Sequence, residues 1–251
     1  MIYITGDTHG NFAHRFNTEN FPEQKEMTRD DYVIICGDYG GVWDKEESGE
    51  EKHWFKWFEE RSYTLLFVDG NHENFERLYK YHVREWHGGK VHEIRPHILH
   101  LMRGQVFEID GKKIFTFGGA SSHDITGGIL EKDDPLFRKK RKMCEKEYIP
   151  YRINHVSWWE QELPSEEEME EGRSNLAAND YSVDYIITHC CSSSTQAMIG
   201  GSKYKPDKIT TFLEEIKSRV KYKNWFFGHY HDNRNLPDGQ ILIYEQMIRV
   251  S

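Results

Sequence analysis

The chain has 251 residues, with 33 Lys and Arg against 42 Asp and Glu and a formal net charge of −9. That length supports one sizeable core, and the acidic balance argues against a general nucleic-acid coat protein while leaving room for a phosphate gripped through a bound metal. The sequence offers no run of about 18 apolar residues for a membrane helix, no signal-peptide pattern at Met1–Asp7, and no C-x-x-C pair among Cys36, Cys144, Cys190 and Cys191, so the expectation is a reduced, cytoplasmic protein.

The first expected strand is Ile2-Tyr3-Ile4-Thr5, running straight into Gly6-Asp7-Thr8-His9-Gly10. The second is Tyr32-Val33-Ile34-Ile35-Cys36, followed by Gly37-Asp38. An amphipathic helix is expected from Glu50 to Arg61, where Trp54, Phe55, Trp57 and Phe58 stand among charges. Thr64-Leu65-Leu66-Phe67-Val68 is the third strand and runs into Asp69-Gly70-Asn71-His72-Glu73. Short β-branched or aromatic runs closed by Gly and Asp read as buried strands and their turns, and strand, helix, strand reads as a βαβ unit. Val106–Ile109 and Lys113–Phe117 flank Asp110-Gly111, a hairpin turn signal. Residues 122–180 are charged and lack a continuous apolar rhythm, with a capping box at Ser165-Glu166-Glu167-Glu168 opening a short acidic helix. Val183–Thr188, ending at His189, Asn224–Phe227, ending at Gly228-His229-Tyr230-His231, and Ile241–Tyr244 complete the strands. No internal repeat or low-complexity linker appears. The expectation is a single domain over residues 1–251 with a charged insertion or cap at about 122–180.

A metal-competent residue follows five of these strand ends at once: Asp7 and His9, Asp38, Asn71 and His72, His189, then His229 and His231. In α/β sheets ligands bind beyond the carboxyl ends of strands. Asp-x-His and His-x-His put alternate residues on one side of an extended segment. Carboxylate, imidazole and amide donors suit Mn, Fe, Zn or Ni. Taken singly, each signal is more often a turn or a structural histidine than a ligand. Their joint, ordered occurrence carries the reading. A carboxylate at Asp38 has the chemistry to bridge two ions about 3.5–4 Å apart, as in two-metal hydrolases.

Asp-x-His, Gly-Asp, Gly-Asn-His-Glu, a lone His and Gly-His-x-His, in that order, resemble the blocks of the calcineurin-like metallophosphoesterase family. The resemblance runs from Asp7 to His231, nearly the whole chain. It implies an α/β fold, a β-sandwich flanked by helices in four layers (α/β/β/α), with a dinuclear site at one end. It further implies one divalent metal ion on Asp7, His9, His231 and a bridging Asp38, and a second on Asp38, Asn71, His189 and His229. His72 is then not a ligand but the histidine that stabilises developing charge or protonates the leaving oxygen. The implied activity is hydrolysis of phosphate esters, monoester or diester, by a hydroxide bridging the two metals. The implied substrate is a phosphorylated small molecule, a nucleotide or a phosphopeptide, contacted by Asn71 and His72. Gly40-Gly41-Val42-Trp43, Phe117-Gly118-Gly119-Ala120-Ser121 and Trp158-Trp159-Glu160 resemble a bacterial or prophage branch of the family. One departure stands out: serine/threonine phosphoprotein phosphatases carry Gly-Asp-x-Val-Asp-Arg-Gly, and no arginine follows Gly37-Asp38 here. That reading, a nucleotide phosphatase, and a non-catalytic protein-binding scaffold on the same fold are the alternatives.

Other features carry two readings each. Residues 122–179 are a cap shaping access or a solvated insertion. His123 and Asp124 line the mouth of the site or support its ligands. Arg138-Lys139-Lys140-Arg141-Lys142 steers an anionic substrate or is a solvated helix face. Cys190, Cys191, Trp158, Trp159 and Trp225 are assigned to packing. His14, His53, His82, His87, His92, His97, His100 and His155 fit no block and are read as non-ligands.

Overall fold

The computed structural model describes residues 1–251. In chain order its elements are β1 (Ile2–Thr5), β2 (Tyr32–Cys36), α1 (Gly49–Glu59), β3 (Thr64–Val68), the single-turn α2 (Phe75–Leu78), β4 (His82–Trp86), β5 (Gly89–Arg95), β6 (Ile98–Leu101), β7 (Gln105–Ile109), β8 (Lys112–Phe117) and β9 (Ile129–Leu130). There follow α3 (Phe137–Lys146), β10 (Arg152–Ile153), α4 (Glu166–Ala178), β11 (Tyr185–Thr188), α5 (Ser193–Gly200), α6 (Lys208–Arg219), β12 (Asn224–Phe227), β13 (Arg234–Asn235), β14 (Gln240–Leu242) and β15 (Ile248–Arg249).

The strands build a 7-stranded sheet in the order β15-β1-β2-β3-β6-β5-β4 and a 6-stranded sheet in the order β13-β14-β12-β11-β8-β7. Each sheet has a parallel centre, β1-β2-β3-β6 in one and β8-β11-β12-β14 in the other. Antiparallel strands close the edges. The central strands are buried on both faces, which is why they read as continuous apolar runs.

Alternation along those strands sorts the side chains into three cores. Ile2, Ile4, Ile34, Leu66 and Val68 face Phe107, Ile114, Tyr185, Ile187 and Phe226 between the two sheets. Tyr3, Val33, Ile35, Leu65 and Phe67 face outward onto Phe55 and Phe58 of α1 and onto Phe12, Phe16 and Phe21. On the other sheet, Phe115, Phe117, Ile186 and Phe227 pack under Met169 and Leu176 of α4 and Phe212, Leu213 and Ile216 of α6. Helix, sheet, sheet, helix is the four-layer arrangement expected. α1 starts where Ser48 and Glu51 form a reciprocal capping box, a device worth about 1 kcal/mol. The β7–β8 turn places Asp110 and Gly111 at φ 52° and 67°, as a two-residue hairpin requires.

The charged stretch 122–180 divides in two. α4 is 13 residues long, opened by the Ser165–Glu168 box, and its apolar side is a layer of the fold. Ahead of it, β9 and β10 pair in parallel, and α3 lies beside them with its Arg138–Lys142 run exposed. Trp159 anchors the end of this segment in the first core, and Trp225 lies in the third. All four cysteines are buried and unpaired. No helix is long and apolar enough to cross a membrane.

Candidate metal centre

Parallel register aligns the carboxyl ends of β1, β2 and β3, with Thr5 beside Ile35 and Cys36 beside Val68. The ends of β11 and β12 meet them across the sandwich: His189 Nδ1 lies 2.9 Å from the Cys36 carbonyl oxygen, and the His229 backbone N–H reaches both Asp7 oxygens at 3.0 Å. The expected site residues are thereby gathered at one end of the sandwich.

Asp7, His9 and His231 form one group whose ligand atoms lie within 4.8 Å of one another; His9, Asp38 and His72 form a second, and Asp7, Asp38 and His189 a third. Asp38 and Asp7 are buried, whereas His231 is half exposed. His231 Nε2 lies 3.2 Å from Asp7 Oδ2, and His189 Nε2 lies 3.4 Å from Asp38 Oδ1. The His72 backbone N–H donates to Asp38 Oδ1 at 2.7 Å. Asn71 is turned by its surroundings: its Nδ2 donates to Ser122 Oγ at 3.2 Å, which leaves its carbonyl oxygen 3.2 Å from His189 Nε2. Ser122 is fixed in turn by Glu162, through its N–H at 2.9 Å and its hydroxyl at 2.6 Å. Of the two residues expected at the mouth, His123 lies with its Nε2 2.8 Å from His229 Nε2, and Asp124 reaches the centre through Arg152.

The geometry itself indicates what the centre accepts. Imidazole nitrogens and an amide oxygen meet in three places: His9 Nε2 and His231 Nε2 at 3.0 Å, His229 Nε2 and His123 Nε2 at 2.8 Å, and His189 Nε2 and Asn71 Oδ1 at 3.2 Å. With its Nδ1–H donated to the Cys36 carbonyl, His189 turns its Nε2 inward, toward Asn71 and Asp38. Such pairs repel unless a proton or a cation lies between them. The carboxylate, imidazole and amide donors therefore fit divalent transition-metal ions.

Electrostatics agree. Burial alone would raise the Asp38 carboxyl, but His189, then His72 and His9, hold it well below the usual carboxylate range. Burial would lower His189, but Asp38 and Asp7 raise it to about 10, so in the metal-free protein a proton takes the cation's place. Burial lowers His9, His72, His123 and His229, keeping these imidazoles neutral and able to donate lone pairs.

The backbone is bent to reach this state. His9, Asp38, His229 and His231 all have positive φ, from 45° to 69°, a region non-glycine residues seldom occupy. The carbonyl of Asp38 accepts the N–H groups of Thr8 and His9 at 3.1 and 2.8 Å, tying the two strand ends together. A Cβ on Gly228 would overlap the Asp7 carboxylate, and one on Gly37, itself at φ 89°, would overlap the His189 ring. Glycine is needed there for close approach.

A cleft of about 630 Å³ opens from Asp7, Thr8 and His9 and is lined further by Arg15, Asn11 and Tyr244. His72 sits within ligand distance of His9 and Asp38, though the resemblance leaves it outside the ligand set. Its Nε2 accepts a hydrogen bond from Arg152 Nη2 at 3.1 Å. Arg152 carries no motif signal in the sequence. The unassigned histidines stay outside the centre. Two of them, His92 and His100, form a buried pair, His100 Nε2 lying 3.0 Å from Asp69 Oδ1.

A family model described as calcineurin-like phosphoesterase matches residues 1–233. The chain belongs to that family and is a metal-dependent phosphoester hydrolase acting on a phosphorylated substrate. A search of curated proteins finds no match. Among solved structures, a phosphopantetheinyl hydrolase from Mycobacterium tuberculosis is similar, at 14% identity over 97% of this chain and 87% of that one, with a TM-score of 0.50. At that identity the likeness concerns the fold.

Proposed function

We propose that this calcineurin-like phosphoesterase hydrolyses phosphate esters at a centre for two divalent ions. Asp7, His9, His231 and Asp38 hold one, and Asp38, Asn71, His189 and His229 hold the other. The observation that carries this reading is the convergence of histidine nitrogens and the Asn71 carbonyl on the two buried carboxylates, Asp7 and Asp38. When bound, such ions supply positive charge against phosphoryl oxygens and make water acidic enough to attack near neutral pH.

The chain's own groups do the remainder. Asn71 is oriented by Ser122 and Glu162, so its carbonyl rather than its amide nitrogen faces the centre. His72 is held against Asp38 through its backbone and stacks on Trp43, ring centroids 5.7 Å apart. Its Nε2 faces outward toward Arg152 and the cap. Once a bound ester draws Arg152 away, that nitrogen is open to take up a proton from solvent and pass it to the leaving oxygen. Residues 122–163 act as a cap: Ser122, His123 and, through Arg152, Asp124 all reach the centre. A non-catalytic scaffold has no need of this convergence.

The test is hydrolysis of p-nitrophenyl phosphate by protein stripped with chelator and reloaded separately with Mn, Fe(II), Zn, Ni or Mg. Turnover that appears on reloading and is lost in Asp38→Asn supports the reading. Turnover unaffected by stripping overturns it. His72→Ala should retain bound metal and lose turnover, most steeply on a poor leaving group; full turnover there would remove the proton-donor role.

A further inference from the structure

No Lys or Arg other than Arg152 hydrogen-bonds a side chain of the centre, and Arg152 arrives from the cap rather than from a strand end. Its placement is built. Arg152 pairs with Ile129 in the short β9–β10 ladder, and its backbone N–H reaches the Gly128 carbonyl at 3.2 Å. Its Nε donates to Asp124 Oδ1 at 2.9 Å and its Nη2 donates to the other oxygen. The same Nη2 donates to His72 Nε2. The Arg152 side chain is 14% exposed, while Asp124 is 47% exposed. The guanidinium is thus held on the outer side of His72, its Nε and Nη2 engaged by a carboxylate that solvent already screens and its Nη1 without a protein partner.

We propose that Arg152 is the residue that selects phosphate monoesters over diesters, an inference that rests on the phosphoesterase reading above. A monoester carries three non-bridging oxygens and close to two negative charges near neutral pH. A diester carries two such oxygens and one charge. An ester that turns two non-bridging oxygens toward the strand-end cluster has a third for Arg152 only when it is a monoester. In a diester that position is a second ester oxygen bearing an organic group, which meets the Arg152–Asp124 pair instead of open space. To take that oxygen Arg152 exchanges the exposed Asp124 carboxylate, which its Nε and Nη2 now hold, for the phosphoryl group, and lysine lacks the planar two-nitrogen fork that makes the exchange like for like. In taking the substrate, Arg152 also releases His72 Nε2, the atom that faces the leaving oxygen.

The experiment compares kcat/KM for p-nitrophenyl phosphate and bis(p-nitrophenyl) phosphate, which share a leaving group. It uses Mn-loaded wild type, Arg152→Met and Arg152→Lys, with metal content and melting temperature as folding controls. The wild type should favour the monoester. Its monoester-to-diester ratio should fall about 10- to 100-fold in Arg152→Met, the span expected for one hydrogen bond to a charged group, and by an intermediate factor in Arg152→Lys. Competitive inhibition by inorganic phosphate should weaken in the same order. A purely structural role for Arg152 would lower both activities together and leave the ratio in place. A wild type that prefers the diester, or a ratio within twofold of wild type in Arg152→Met, overturns the assignment of Arg152 while hydrolysis stands. Hydrolysis of neither compound by the wild type overturns the phosphoesterase reading itself, and this inference with it.

Discussion

Asp38 is the residue on which the two-ion reading turns, because that reading assigns it to both ions; its carboxylate lies with His9 on one side and with His189 on the other. An ion bound only to the folded state at about 100 times its dissociation constant stabilises the protein by about 2.7 kcal/mol. In chains of about 150–250 residues each kcal/mol moves the melting temperature by about 2–4 °C. One ion is then worth about 5–11 °C, and two roughly twice that. Asp38→Asn keeps the shape and the acceptor of the His72 N–H but removes the charge assigned to both ions. Its Mn-induced shift should fall below that of a single ion. Burial opposes and Asp38 with Asp7 sustains the raised pKa of His189, so the substitution also alters the metal-free protein. Comparing loaded and stripped forms of the same variant cancels that effect. Calorimetric melting with and without Mn, alongside measured metal content, is the assay. An Asp38→Asn shift equal to that of wild type would refute Asp38 as a shared ligand.

Other positions test other layers of the account. Asp69 is buried beside the guanidinium of Arg103 and His100; Arg103→Met strands a buried carboxylate and should cost about 3–5 kcal/mol in urea unfolding. Arg103 and His100 outweigh burial and hold the Asp69 carboxyl low, so this stability is present above the usual carboxylate range and the Arg103→Met deficit should shrink as pH falls through it; a neutral substitution at pH 7 counts against the pairing. Burial, then the charge of His100, pushes His92 down to about 3. The unfolded chain therefore gains a proton below its ordinary value of 6.5 that the folded chain refuses, and stability should drop by about 1.4 kcal/mol per pH unit across that window. His92→Phe, which keeps the stack on Tyr79, should flatten that slope, and an unchanged slope would assign the loss elsewhere. At His231, with φ 49°, Gly should give a metal-free protein more stable than Ala by about 1 kcal/mol, the reverse of their usual order, while both variants lose metal-induced stabilisation; Ala at or above Gly would show the turn is unstrained.

Much of this centre is legible in the sequence because one structural event recurs. A doubly buried parallel strand has no room for polar residues, so it appears as an uninterrupted apolar run, and the first polar residues after it are those at the ligand-binding edge. For that reason the apolar runs Ile2–Thr5, Tyr32–Cys36 and Thr64–Val68 coincide with β1, β2 and β3. β4 and β5 gave no such signal: β4 is an edge strand with charged, largely exposed residues, and β5 carries His92 inward. Periodicity alone cannot distinguish that inward histidine from a surface one. α6 was different. Its box at Asp207 and Thr210 and its Ile209, Phe212, Leu213 and Ile216 spacing are signals of a capped amphipathic helix.

Arg152 had no readable signal at all, and the reason is physical. It meets His72 across 80 positions of sequence, through a two-residue ladder and one ion pair, none of which has a period. The strand-end residues proposed as ligands are placed by rigid sheet register and by strained turns held with backbone hydrogen bonds, as at Thr8, His9 and Asp38. Chemistry that any phosphate ester requires is thus fixed by the most cooperative part of the fold. The cap residues are placed by contacts that a few substitutions would redirect, since Asp124 and Arg152 hold each other without help from the two large sheets. Discrimination among esters can therefore change in the cap without loosening the ligands beneath it. For the same reason the reaction class is written in the strand-end motifs while the choice of substrate is not.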